Sequence, residues 1–99
     1  MDEGRTRDIV DAHAQAVVRG DMDAVVADLS EELQPQADEI GRTLPLPVTD
    51  ADVLSLEIGA NECVAEIRYA GESGEITIRS RWEEIDGSPR IVHAEPLAG

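Results

Sequence analysis

In the second half of the chain, short runs of alternating apolar and polar residues are separated by residues that favour turns. The segment ITIRSRWEEI (76–85) sorts its side chains by parity. Ile76, Ile78, Ser80 and Trp82 point one way, while Thr77, Arg79, Arg81 and Glu83 point the other. That pattern predicts a sheet with one apolar face needing a cover and one charged face meeting water or a partner. Strands are expected at about 53–58, 62–69, 75–84 and 90–97. The breaks between them, GAN, AGESG and IDGSP, carry the Gly, Asn, Asp and Pro that turns require.

The first half has a helical period. Over 6–19, Ile9, Val10, His13, Ala14 and Val17 share a face, with Asp8, Asp11, Gln15 and Arg19 opposite. Thr6 is the expected cap, and Gly20 the expected left-handed stop. Asp8 and Arg19 sit at the helix ends that favour their charges. Asp21 then caps a second short helix, in which Met22, Val25, Val26 and Leu29 repeat at i, i+3, i+4 and i+7. Ser30 opens a further turn, and Pro35 stands near the start of a third helix through Ile40 to about Leu44, with Gly41 weakening it. The two prolines of Leu44-Pro45-Leu46-Pro47 forbid helix and make an extended connector between layers. The fold class expected is α+β: two to three N-terminal helices packed on one face of a four-stranded antiparallel sheet.

Keeping one side apolar constrains the register, because a slip of one residue exchanges the faces. Tyr69 should lie opposite Ile76, Ile67 opposite Ile78, Ala65 opposite Ser80 and Cys63 opposite Trp82. Across the last hairpin, Trp82 should face Val92, Ser80 face Ala94 and Arg81 face His93. Arg79 then stands between Glu66 and Glu95 in a charge ladder spanning three strands. Such pairs contribute about 0.2–1 kcal/mol each, so their main use is to fix register and keep the face soluble.

A length of 99 residues fits a single domain, 1–99. With Tyr69 and Trp82 its sole aromatic residues, the core must rest on Ile, Val, Leu and Ala. The net charge of −14 comes from 22 acids against 8 bases, every base being Arg. That field repels phosphate backbones and anionic membranes, so neither nucleic acid nor membrane is expected as a partner. Cys63 is the lone cysteine, which excludes an intrachain disulfide and suits a reducing cytoplasm. The first residues lack a signal-like apolar region, and no apolar run reaches spanning length, so a cytoplasmic, untethered protein is expected.

The segments AQAVVRGDMDAVVADLSEEL (14–33) and RSRWEEIDGSPRIVHA (79–94) resemble the helix, Gly-Asp, helix opening and the last hairpin of the nuclear-transport-factor-2-like superfamily, which includes the SnoaL-like polyketide cyclases. The resemblance covers about a third of the chain directly, through motifs that are mostly architectural. It implies a cone of cystatin-like topology, with helices across the concave face of a curved sheet and a pocket at the open end. It also implies dimerisation through the sheet, and in some members hydrolase, isomerase or cyclase activity from an Asp–His or similar acid–base pair. The chain is shorter than the larger members, which leaves little room for the strands and loops that close their pockets.

His13, in the middle of the first helix's apolar face, is the candidate catalytic base, and it would need burial and an orienting carboxylate. The acids of its own helix face away, so the competing reading is a core histidine bonded to backbone, Tyr69 or Ser80. Tyr69 and Ser80 are candidates to orient a small ligand, with Trp82 as a wall; plain core filling is the alternative. Cys63 has no cationic neighbour to activate it. His13, His93 and Cys63 lack ligand spacing, so no metal or other cofactor is expected. On the charged face, Val64, Ile91, His93 and the aliphatic stems of Arg79 and Arg81 form a candidate homodimer contact. Three functions follow: a non-catalytic domain that binds a small apolar ligand or a protein, a SnoaL-like enzyme using His13, or a purely structural interaction module.

Overall fold

A computed structural model describes residues 1–97 of the chain. Helix α1 spans Glu3–Arg19, three residues earlier than the spacing suggested. Its cap is Asp2, whose side chain accepts from the Arg5 amide at 3.1 Å. Thr6 instead sits on the buried face of the first turn. Gly20 ends the helix in the left-handed region at φ 72°, and its amide reaches the carbonyls of Ala16 and Val17. Asp21 caps α2 (Met22–Ala27) by accepting from the Ala24 amide at 3.2 Å. The third helical segment is broken: a 3₁₀ turn, Gln34–Gln36, carries Pro35 and leads into the single-turn helix α3 (Ala37–Gly41). It stops short of Leu44, as a glycine in the last turn favours.

Strands β1 (Val48–Ile58), β2 (Glu62–Gly71), β3 (Gly74–Ile85) and β4 (Ser88–Leu97) form one antiparallel sheet in the order β1-β2-β3-β4. The helices all precede the sheet and pack with it, giving the α+β class anticipated. Asp86 and Gly87 make the last hairpin turn at φ 52° and 82°, the backbone a two-residue turn needs to match strand twist. The connector between α3 and β1 runs tightly over the end of β2. A Cβ on Gly71 would collide with the carbonyl oxygen of Pro45 and lie 2.6 Å from that of Pro47. β1 begins earlier than expected because Val48, itself buried, already pairs with Gly71.

Between β2 and β3 the register is the one that parity demands, from Cys63 opposite Trp82 to Tyr69 opposite Ile76. On β4, Ser80 faces Ala94 and Arg81 faces His93 as expected. Trp82, however, faces Ile91 rather than Val92, because a bulge falls between Arg81 and Trp82. The extra residue turns Ile91 inward, where it is 2% exposed. Ile91 therefore belongs to the core and not to the outer face on which the dimer contact was expected.

The inner face of the sheet supplies Cys63, Ala65, Ile67, Tyr69, Ile78 and Trp82 to a core shared with Val10, Ala14 and Val17 of α1. On the outer face Arg79 does lie between two carboxylates, 3.2 Å from Glu66 and 3.8 Å from Glu95. Arg68 bridges Asp52 and Glu75 in the same way, and Arg81 reaches Glu62 and Glu83. Among the described residues no helix is long and apolar enough to cross a membrane.

Candidate functional site

The segment after α2 carries the residue that organises the site. Asp28 closes α2, and its carbonyl oxygen accepts from the Ile91 amide at 2.7 Å. Two residues on, the Ser30 amide donates to the Ile91 carbonyl at 2.9 Å. These bonds flank a one-residue parallel bridge between Leu29 and Ile91, beside the β4 bulge. The bulge thus offers a backbone dock that clamps Asp28 against the sheet.

From there the Asp28 carboxylate meets His13 of α1, with Oδ2 2.9 Å from Nδ1. A carboxylate can only accept, so the Nδ1–H donates and Nε2 is the ring nitrogen left free of Asp28. The ring, 7% exposed, stands edge-on to Trp82 with centroids 5.4 Å apart and planes at 90°. That T-shaped contact is worth about 0.5–1.5 kcal/mol beyond area burial. Trp82 is fully buried, and its Nε1–H donates to Ser80 Oγ at 3.0 Å. The Ser80 hydroxyl accepts that bond and keeps its own proton to donate.

A cavity of about 70 Å³ lies between the helices and the inner sheet face. His13, Tyr69 and Ser80 are its polar lining. Val25, Leu29, Ile40, Ile67, Ile78 and Ala94 are among its apolar walls. The cover over it is thin. Neither α2 nor α3 has a fully buried residue, and Met22, expected on the apolar face of α2, is 41% exposed at the cavity. Burial pushes the Tyr69 phenol well above the usual tyrosine range, so it remains a neutral hydroxyl.

Of the ligand residues expected from sequence, His13, Tyr69 and Ser80 come together on this cavity. Trp82 does not line it; it stands behind His13 and holds Ser80 in place. His13 is bonded to Asp28, a carboxylate from outside its own helix, and not to backbone, Tyr69 or Ser80 as the core-histidine reading expected. Asp28 was missed because it lies beyond His13's own helix. The available signal was symmetry: His13 and Asp28 are nearly equidistant in sequence from the Gly20 turn, so folding α2 back along α1 brings them level.

Val64, Arg79, Arg81 and His93 lie on the outer face, where the arginines already serve carboxylates of their own chain. His93 is 3.8 Å from Glu95. Cys63 is buried, and the lost solvation raises its thiol pKa, so it is a poor nucleophile. Among the described residues no group of three His, Cys, Asp or Glu side chains is arranged to hold a metal ion. Comparison of the chain with protein-family models and with curated proteins finds no match to either.

Proposed function

We propose that this chain is a short nuclear-transport-factor-2-like domain that binds a small, largely apolar molecule in the cavity between its helices and sheet. The observation that carries the reading is the convergence of His13, Tyr69 and Ser80 on an otherwise apolar cavity. A few placed polar groups in an apolar concavity are the usual make-up of a small-molecule site. A cytoplasmic setting is part of this proposal, and the net charge of −14 disfavours anionic membranes and nucleic acid as partners. A fragment screen by thermal shift tests the reading, with Ala94→Leu as a cavity-filling control. Neutral fragments should raise the melting temperature of the native protein and lose that effect in the variant. If no fragment shifts the native protein, the structural-module reading takes its place.

A second reading is favoured by one specific contact, the 2.9 Å pair of His13 and Asp28. A carboxylate that fixes the imidazole tautomer leaves Nε2 poised as a general base toward whatever occupies the cavity. In a SnoaL-like isomerase or cyclase, His13 would take a proton from substrate while Tyr69 or Ser80 donates to the adjoining oxygen. Deuterium exchange into the α-position of a small ketone such as butanone tests this. The native protein should accelerate exchange and His13→Gln should abolish the acceleration; equal rates in both would remove the enzyme reading.

A homodimer through the outer sheet face remains the partner proposed from sequence, now on Val64, His93 and the arginine stems without Ile91. Each protomer would bring many carboxylates to the contact, so like charges oppose the pairing. Light scattering at low and high salt distinguishes the cases: dimer favoured by salt supports this face, and monomer throughout removes it.

A further inference from the structure

The cavity's hydrogen-bonding inventory is more selective than its apolar walls. Asp28 accepts from His13 Nδ1–H, and in that tautomer of the imidazole Nε2 is an acceptor. His13 lines the cavity with Nδ1 already bonded to Asp28, which leaves Nε2 as the ring nitrogen for a ligand to meet. Ser80 Oγ already accepts from Trp82 Nε1–H and so has a proton to give. Tyr69, 3% exposed, brings a neutral hydroxyl to the same space. The site therefore offers one acceptor beside two donors. None of its lining residues is an acid, a lysine or an arginine, and the Asp28 carboxylate stands behind His13.

We infer that the cavity selects neutral molecules carrying a hydroxyl group, alcohols or phenols, and rejects carboxylates. This rests on the ligand-binding reading above and names its ligand class. A hydroxyl donates to His13 Nε2 while accepting from Tyr69 or Ser80, satisfying both kinds of group at once. A hydrocarbon satisfies neither, and leaving buried polar groups unpaired is costly. A carboxylate cannot donate to Nε2, finds no lysine or arginine in the lining, and meets a strongly negative protein.

Size sets how the ligand enters. The cavity's volume of about 70 Å³ is roughly half that of an engineered cavity, about 150 Å³, that admits benzene. A ring-sized ligand therefore needs the cover to move outward. The cover is built to do so: Ala37, Ile40 and Leu44 are only partly buried, and α3 is a single turn.

Phenol, toluene and benzoate share a ring and differ in the group that matters. We would titrate each at pH 7 into the isotopically labelled native protein and into Ile40→Ala, which enlarges the cavity from the cover side. Phenol should move the resonances of His13, Tyr69 and Ser80 in both proteins, more tightly in the variant. Toluene should bind about 3- to 10-fold more weakly, the equivalent of one net hydrogen bond, and benzoate should leave these resonances in place. Tyr69→Phe should reduce phenol's advantage over toluene. Toluene matching phenol, or benzoate competing with it, would overturn the hydroxyl preference while leaving a ligand cavity in place. If no probe perturbs the cavity residues of either protein, both the preference and the binding function fall.

Discussion

The inner face of the sheet is one surface with two ends that are covered very differently. At one end Trp82 and Cys63, with Val10 and Thr6 of the long helix α1, are each at most 1% exposed. At the other end Tyr69, Ile67 and Ile78 face α2 and α3, too short to bury any residue fully, and a cavity remains. Local sequence accounts for the difference. The 17 residues of α1 have a proper cap at each end, whereas Gly41, the 3₁₀ turn around Pro35 and the proline pair chop the rest into short pieces. A long amphipathic helix can lay a continuous stripe onto a sheet; six- and five-residue helices can only roof it. His13 stands at the border, touching Trp82 on the filled side and lining the cavity on the other.

If that contrast is right, removing mass from the filled end should hurt most. Trp82→Ala should cost about 3–5 kcal/mol in chemical denaturation, while Ile40→Ala in the roof should cost about 1 kcal/mol. Equal costs would erase the distinction. Gly71→Ala tests how firmly the connector holds the roof down. Its Cβ has nowhere to go against Pro45 and Pro47, so a loss of about 1–3 kcal/mol is expected.

Tyr69 gives a pH readout from the cavity end. Its folded pKa lies above its unfolded value near 10, so the folded state holds the phenolic proton more tightly. The stability this gives is complete below about pH 10. It is then lost with rising pH at up to about 1.4 kcal/mol per unit. Because Tyr69 is the sole tyrosine, phenolate absorbance should appear only as the protein unfolds, and Tyr69→Phe should flatten the alkaline limb. A normal phenol titration in the folded protein would mean that the cavity end is open to water.

The outer face should matter least. Arg79→Gln breaks the contacts to Glu66 and Glu95, both exposed enough for solvent screening, and should cost below about 1 kcal/mol at low salt and less at high salt.

Much of the sheet was legible because two independent patterns agree on it. Apolar parity on β2 and β3 and the complementary charges of Glu66, Arg79 and Glu95 admit the same register, and a slip would break both at once. The bulge was not legible, since Ile91 and Val92 are both apolar and β-branched and either suits the interior. Asp2 and Thr6 are both capping residues; burial of Thr6 on the α1 face, a tertiary matter, decides between them. The candidate site was half visible. His13, Tyr69 and Ser80 were identifiable as inward-facing polar residues in an apolar pattern. The spacing about Gly20 pointed to Asp28, but what holds it against His13 is the bonding of β4 to the backbone on either side of Leu29, a contact between segments far apart in the chain. The cavity itself depends on how side-chain volumes fill space, which spacing does not encode.

The central claim is that one sheet face is fully buried at its Trp82 end and holds an apolar cavity at its Tyr69 end. A crystal structure under xenon pressure tests this most directly, since xenon settles in apolar cavities and needs no particular ligand chemistry. Xenon should appear among Leu29, Ile67, Ile78 and Ala94, with none between α1 and the Trp82–Cys63 region. Xenon beside Trp82, or none among those four residues, would contradict the account.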